Sequence, residues 1–406
     1  MTDYQSKFSR RRFLKVTAAT GLGTILAPHT AISSSIAQTD TPAEISINVP
    51  TRPFGRSGIQ VSILSLGGMF DIAANHLLLK QALQWGVTYW DTADCYHGGS
   101  EVGIGKYFAK SPGDREKIFL VSKSDARDPD GMSKLLDRSL ERLQTHYVDL
   151  YFVHGIRSIG ELNDATRKWA ETAKAQKKIR LFGFSTHSNM EECLMAASRL
   201  SWIDGVMMTY NFRNMNSEKM KDAVAACAQA GIGLTAMKTQ AGASWYSSSP
   251  QPDLGKHFMA KGWSEEQARL KAVWQNPQIA SICSQMDSLK LLKANAQAAS
   301  DPTPLSSLDN RLLAQYADCT SGDYCAGCGA ICESAVSAKV PVSDVMRYHM
   351  YCQSYGRPGW ARAHFAALPA VVRAAMADMD YTEAERRCPR NMPIGRLMRE
   401  ALDAFA

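Results

Sequence analysis

Short apolar runs recur along most of the chain, and stretches of helical period separate them. The runs are Ser62–Gly67, Val87–Trp90, Ile118–Ser122, Val148–Val153, Ile179–Phe184, Gly205–Met208, Gly233–Met237 and Ile279–Cys283. Their near-continuous apolar character predicts strands buried on both faces of a parallel sheet. The intervening segments Asn75–Gln84, Ser133–Leu143, Leu162–Ala175, Met190–Leu200, Ser217–Ala230 and Ser264–Gln275 predict helices, as does Ser288–Ala299 after the last strand. Strand and helix alternating in this way predict a (β/α)8 barrel or an open doubly wound sheet. Turn residues from Arg52 to Gly58 place a hairpin ahead of the first strand. A Ser/Pro/Gly-rich connection, Thr239–Pro252, follows the seventh strand and suits a loop over a site or a solvated surface loop. Asp301-Pro302-Thr303-Pro304-Leu305 opens a boundary, beyond which the chain reads as mostly helical.

The N-terminus changes the domain picture. Ser9-Arg10-Arg11-Arg12-Phe13-Leu14-Lys15 precedes an apolar stretch, Val16 to Ala27, and then small residues ending at Ser35-Ile36-Ala37. This pattern resembles a twin-arginine export signal over 1–37, with a Sec signal or a basic arm as alternatives. A linker is expected over 38–50, the barrel over 51–300 and a cysteine-rich helical region over 301–406. Of the formal charge of +7, five cations against Asp3 in residues 1–37 account for +4. The remaining +3 gives no reason to expect a nucleic-acid partner. An exported location and the twin-arginine machinery as a partner follow from the same segment.

The candidate chemistry lies at strand ends. Asp91 and Tyr96 follow the second strand, Lys123 the third and His154 the fourth. In a parallel barrel these ends share one rim, so the four can converge despite their separation in sequence. Reduction of a carbonyl by a nicotinamide needs an acid to protonate the oxygen as charge develops. Tyr96 can be that acid if Lys123 lowers its pKa, with Asp91 holding Lys123 and His154 orienting the oxygen or assisting proton movement.

Over about residues 50–300 the chain resembles the aldo-keto reductase superfamily. The resemblance rests on Gly55-Arg56-Ser57-Gly58, on Asp91-Thr92-Ala93 with Tyr96, on Ser100-Glu101 with Ile104-Gly105, and on Lys123, His154 and Gly183-Phe184-Ser185. It implies the closed barrel, reduction of a small-molecule carbonyl (or oxidation of the alcohol), and Tyr96, Asp91, Lys123 and His154 as the catalytic set. It also implies NADP or NAD as cofactor, contacted by Ser185, Thr186, Tyr210, Asn211, Met237, Lys238 and Asn295. Thr186 stands where the family commonly has Asn, and Met207 where it has Gln.

The tail carries different chemistry. Cys319, Cys325, Cys328, Cys332, Cys352 and Cys388 crowd the last quarter of the chain. Cys325, Cys328 and Cys332 have Cys-x2-Cys-x3-Cys spacing, and Cys388 precedes Pro389. The arrangement resembles the ferredoxin-like extension found on some aldo-keto reductases, in degenerate form: Gly322 holds the first cysteine position and Glu333 replaces a proline. One [4Fe–4S] cluster on Cys325, Cys328, Cys332 and Cys388 is the reading this resemblance implies. Disulfides and structural zinc stay open as alternatives. Cys352, in an expected helix over Asp344–Ser354, is read as core. A second reading makes the barrel a non-enzymatic scaffold and the tail a docking site for a redox partner.

Overall fold

A computed structural model describes residues 47–96, 99–242, 250–337 and 339–405. The expected export signal, most of the linker and the centre of the Thr239–Pro252 loop lie outside these residues. Residues 47–406 form one compact unit. The strands are β1 Thr51–Pro53, β2 Gln60–Ser62, β3 Leu64–Gly67, β4 Tyr89–Asp91, β5 Phe119–Ser124, β6 Val148–Val153, β7 Ile179–Thr186, β8 Gly205–Thr209, β9 Gly233–Met237 and β10 Ser281–Gln285. The barrel helices are α1 His76–Gln84, α2 Ser100–Lys110, α3 Pro129–Leu143, α4 Asp164–Ala175, α5 Met190–Ala197, α6 Glu218–Gln229, α7 Leu254–Met259, α8 Glu265–Trp274 and α9 Leu289–Ser300. The tail adds α10 Ser307–Cys319, α11 Gly329–Glu333, α12 Val342–Gln353, α13 Pro358–Ala366, α14 Ala370–Ala377, α15 Thr382–Arg387 and α16 Ile394–Phe405.

β3 to β10 close into a barrel of eight parallel strands, with β10 pairing β3. Closure selects the barrel over the open sheet that the strand pattern also allowed. Helix starts are set by caps rather than by the apolar period. Asp128 accepts from Gly131 N, and Pro129 occupies the first turn, so α3 begins four residues before the expected Ser133. Asn163 accepts from Thr166 N and moves the start of α4 to Asp164. α2, which the apolar period did not mark, buries Ile104, Tyr107 and Phe108.

The β1–β2 hairpin plugs the end of the barrel where the strands begin. Phe54 is fully buried and joins Tyr89, Phe119, Val121, Leu150 and Phe152 in the barrel interior. Its ring needs Gly205 and Gly233 opposite: a Cβ at Gly233 would lie 2.5 Å from the ring, and one at Gly205 2.9 Å. The hairpin therefore works as a stopper, which leaves the C-terminal rim as the open end.

The tail builds its own core from α12 to α16, including Val345, Met346, Phe365, Leu397, Met398 and Phe405. It also packs on the barrel. Leu305, Leu313, Tyr316 and Tyr324 join Phe212, Leu254 and Phe258 in a shared apolar cluster. Arg157, after β6, pairs with Glu333 and Asp344 of the tail. The glutamate that breaks the ferredoxin-like pattern is thus the tail's latch onto the barrel.

Phe54→Ala is expected to lower unfolding free energy by about 3–5 kcal/mol, the usual cost of emptying a packed aromatic site. Urea denaturation monitored by circular dichroism reads this. A loss below about 1 kcal/mol would mean that the hairpin does not seal the barrel.

Candidate active site

The open rim leads into a cavity of about 820 Å³, in the size range of small-molecule and cofactor sites. Asp91, Tyr96, Lys123 and His154 all line it. Lys123 ends up inside because its strand is fully buried and alternate residues of a barrel strand face the interior. It is 1% exposed, so its ammonium must be satisfied by the protein. Nζ donates to Asp91 Oδ2 at 2.7 Å, to the Thr92 carbonyl at 2.8 Å and to the Tyr96 hydroxyl at 3.1 Å. Asp91 and Tyr96 are thereby tied to one cation at the base of the cavity. Asp91 Oδ1 is buried with no partner among the described residues.

The expected lowering of the Tyr96 pKa is not what the structure gives. Burial comes first and the Asp91 carboxylate next, and together they push Tyr96 well above the usual tyrosine value. Lys123 is already neutralised by Asp91, so it offers the phenol little net field. The consequence is a tyrosine that keeps its proton at neutral pH.

His154 stacks edge-on to Tyr96, with centroids 5.9 Å apart. Its Nδ1 lies 3.0 Å from Asp125 Oδ1 and 3.4 Å from Cys95 Sγ. Asp125 is held below the usual carboxylate range: His154 and Cys95 outweigh the opposing effect of burial. An ionised carboxylate only accepts, so it fixes a proton on Nδ1 and leaves Nε2 as an acceptor. Burial pushes His154 below its usual value, and the ring is neutral.

The residues expected at the cofactor divide. Ser185, Met237 and Lys238 line the cavity, and Ser185 Oγ also accepts from Gly155 N at 3.0 Å. Thr186, Tyr210, Asn211 and Asn295 do not line it. Thr186 Oγ1 donates to backbone carbonyls of Ile156 and Ser188. The Tyr210 hydroxyl accepts from Asn276 Nδ2. Asn211 Nδ2 donates to the Lys238 carbonyl and to the Tyr324 hydroxyl. Asn295 Nδ2 donates to Ser284 Oγ, so it braces a lining residue from behind. Thr186 lies between Ser185 and His187, which both line the cavity, so the alternation of side chains along β7 and just past its end turns it away from the site.

Sequence reasoning missed the wall built by the tail. Arg347, Tyr351, Tyr355, Arg357, Trp360 and His364, on α12, α13 and the turn between them, line the same cavity. The density of aromatic and basic residues from Tyr348 to Trp360 was the available signal, overshadowed by the nearby cysteines. His187, after β7, was also missed; it lines the cavity too.

Cys325, Cys328, Cys332 and Cys388 line a second, small cavity in the tail, with Ile331, Val342, Met346 and Ile394 as its apolar shell. None of the four is joined in a disulfide. Burial first, then neighbouring thiols, pushes Cys328 up to about 11; burial and Glu333 push Cys332 up to about 12. No three of the four sulfurs fall within 4.8 Å of one another, whereas Cys95, Asp125 and His154 do. A ZnS4 tetrahedron needs sulfurs about 3.8 Å apart, given a Zn–S bond near 2.3 Å. The four sulfurs are thus not drawn together as a single tetrahedral zinc ion would draw them. The loop docks on the barrel through Gly327 (φ +79°), whose Cβ would lie 2.3 Å from the His187 carbonyl. Its own carbonyl accepts from Asn189 N at 2.7 Å. Cys352 packs against the tail core.

Known proteins agree with this barrel. Residues 67–297 match the model of the aldo/keto reductase family. The chain belongs to the aldo/keto reductase family. It is 34% identical over 161 residues to aldo-keto reductase yakc of Schizosaccharomyces pombe, whose name specifies NADP(+); the match covers 34% of this chain and 46% of that protein. An oxidoreductase of Bacillus subtilis, YrpG, is 36% identical over 126 residues, covering 25% of this chain and 39% of its own. The chain thus spans less than half the length of these relatives. An aldo-keto reductase of Klebsiella pneumoniae, solved in complex with NADPH, superposes with a TM-score of 0.55 at 24% identity over 65% of this chain and 94% of its own. One from Bacillus halodurans gives 0.54 at 23% over 66% and 95%. These two similarities establish the fold.

Buried histidines set an acid limit on stability. His154, His187 and His349 are all held below their usual value, foremost by burial. The unfolded chain takes up their protons as pH falls through about 6.5, while the folded chain resists. Stability is therefore expected to decline from about pH 6.5 downward, by at most about 1.4 kcal/mol per pH unit for each histidine. Urea midpoints measured from pH 8 to pH 5 read this slope, which His187→Gln should reduce. A flat profile down to pH 5 would contradict the assignment.

Proposed function

We propose that the protein is an NADP(H)-dependent carbonyl reductase in which Tyr96 is the general acid. The observation that carries this reading is the buried Lys123 ammonium, shared by the Asp91 carboxylate and the Tyr96 hydroxyl at the base of an open cavity. Family membership and the name of the fission-yeast relative support the cofactor. The lining fits a nicotinamide: Met207 and Met237 offer apolar contact, Ser185 a hydroxyl, and Gln240 a buried Oε1 with no partner among the described residues. When bound, the cofactor supplies hydride to the carbonyl carbon.

The chain's own residues manage the oxygen and its proton. Tyr96 stays protonated at neutral pH and so holds a proton ready for the oxygen. A developing alkoxide is more basic than a phenolate, so the transfer runs downhill despite the raised pKa. As phenolate forms, Lys123 at 3.1 Å becomes its direct counter-ion, a gain realised only during reaction. Asp91 keeps the ammonium in place. His154 Nε2 accepts a hydrogen bond from the hydroxyl of the alcohol and orients it.

In the tail, Cys325, Cys328, Cys332 and Cys388 hold a [4Fe–4S] cluster in this reading, which supplies a covalent crosslink between the α11 loop and the segment after α15. The Arg-rich signal pattern at residues 9–15 supports export through the twin-arginine pathway, which carries folded proteins with their cofactors.

Tyr96→Phe is expected to lower kcat for aldehyde reduction by about 10²–10⁴-fold while NADPH still binds, as read by steady-state assay and fluorescence titration. Equal turnover would remove Tyr96 from the mechanism. Anaerobically purified protein is expected to contain about four iron and four sulfide per chain and to lose them in Cys388→Ser. Iron-free protein with four titratable thiols in the tail would rule the cluster out.

A further inference from the structure

Lys123 and Tyr96 are not the cavity's only lysine–tyrosine pair. Lys238, just after β9, donates to the hydroxyl of Tyr351 on α12. Its ammonium lies 4.2 Å from the centroid of that ring and 5.6 Å from that of Tyr355. Lys238 has φ +58°, a left-handed conformation that costs a non-glycine residue free energy and persists where its surroundings enforce it. Asn211 helps enforce it by donating to the Lys238 carbonyl.

The charges on this wall are unbalanced. Asp91 answers Lys123, Glu161 answers Arg127 and Asp344 answers Arg347. No carboxylate among the described residues lies within ion-pairing distance of Lys238 or Arg357, both of which line the cavity. The Tyr355 hydroxyl is buried and has no partner among the described residues. Beside these groups, Tyr351, Trp360 and His364 stack in sequence, with centroids 3.9 and 3.7 Å apart. Two uncompensated cations and two phenols, backed by this column of stacked rings, form a surface with an empty electrostatic demand for an oxyanion.

We propose that Lys238, Arg357 and Tyr351 form a substrate subsite that binds the carboxylate of an anionic carbonyl compound of sugar-acid size in its open-chain form. This rests on the reductase reading and names its substrate class. An oxyanion could also come from the cofactor's pyrophosphate. The subsite shares its cavity with the reaction centre: Tyr351, Lys238 and Arg357 line the same space as Tyr96 and His154. Lys238, Arg347 and Arg357 together outweigh burial and pull Tyr351 below the usual tyrosine value, a field that favours any bound anion.

The test compares D-glucuronate with D-glucose at saturating NADPH. Both present an open-chain aldehyde, and they differ at the far end in a carboxylate. The full-length protein is expected to show at least tenfold higher kcat/KM for glucuronate. Arg357→Gln and Lys238→Met should each cut that preference at least tenfold through KM, and Arg357→Lys should retain most of it. No preference in the unmodified protein, or an unchanged preference in both variants, overturns the subsite. A loss that falls instead on the NADPH Kd assigns the cations to the pyrophosphate and also overturns it. If neither sugar is reduced, calorimetric titration of glucuronate still decides. Binding that is lost in Arg357→Gln upholds the subsite while the reductase reading fails, and no binding at millimolar concentration sinks the subsite itself.

Discussion

A lysine ammonium buried at the base of the rim cavity sets the terms for the rest of this molecule. Removing that charge from water costs several kcal/mol unless the protein replaces every lost partner. Asp91, the Thr92 carbonyl and the Tyr96 hydroxyl do so, and each depends on β4 ending where it does. The register of β4 against β5 pairs Asp91 with Val121, two residues before Lys123 on β5. The barrel thus holds the polar cluster with backbone hydrogen bonds rather than with mobile loops. The Phe54 stopper closes the opposite end of the barrel.

In the proposed mechanism, the arrangement lets a tyrosine with a raised pKa still suit acid chemistry. A phenol made acidic in the resting state by a free lysine would lose its proton before substrate arrived. Here Asp91 already neutralises Lys123, so the proton stays on Tyr96. The stabilising field is felt when Tyr96 begins to carry charge. Tyr351 shows the opposite case in the same cavity. Two of its cations, Lys238 and Arg357, have no carboxylate partner among the described residues; its pKa falls, and the same field is available to an anion from outside. On these two proposals, a closed ion pair goes with a proton donor and an open one with an anion-binding wall.

How much of this was legible in the sequence depended on whether the signal was local. β6 and β9 fall on the apolar runs Val148–Val153 and Gly233–Met237, because strands buried on both faces have little else in their composition. Asp91, Lys123 and His154 could be placed on one rim because each sits at the end of such a run, and Tyr96 because it follows Asp91 closely; all four line the cavity. Thr186, Tyr210, Asn211 and Asn295 sit equally near strand ends or on the last barrel helix, but face away from the cavity. That difference is one of side-chain direction, which residue type does not encode. Arg347, Tyr351 and Trp360 were illegible for another reason. They lie more than fifty residues beyond the last barrel strand, and only tertiary packing brings them to the rim. The direction of the Tyr96 shift was misjudged because a pairwise view of lysine and tyrosine leaves out both burial and Asp91.

The tail is more than an appended cofactor module, because one helix serves both of its cavities. On α12, Met346 lines the cysteine cavity, while Arg347 and Tyr351 one turn further on line the reaction cavity. The cysteine loop presses on the barrel at Gly327 against the His187 carbonyl, and His187 itself lines the reaction cavity. Arg157 fixes the other side through Glu333 and Asp344, which flank the last loop cysteine and the start of α12. These contacts leave α12 little freedom to shift without moving the cysteines, and the cysteines little freedom to rearrange without moving Tyr351. A rigid crosslink among the four thiols would hold the aromatic wall in register with Lys238 without any electron passing between the two cavities. Were a cluster bound there, its role would be structural, and a two-electron hydride reaction could use it without any one-electron step.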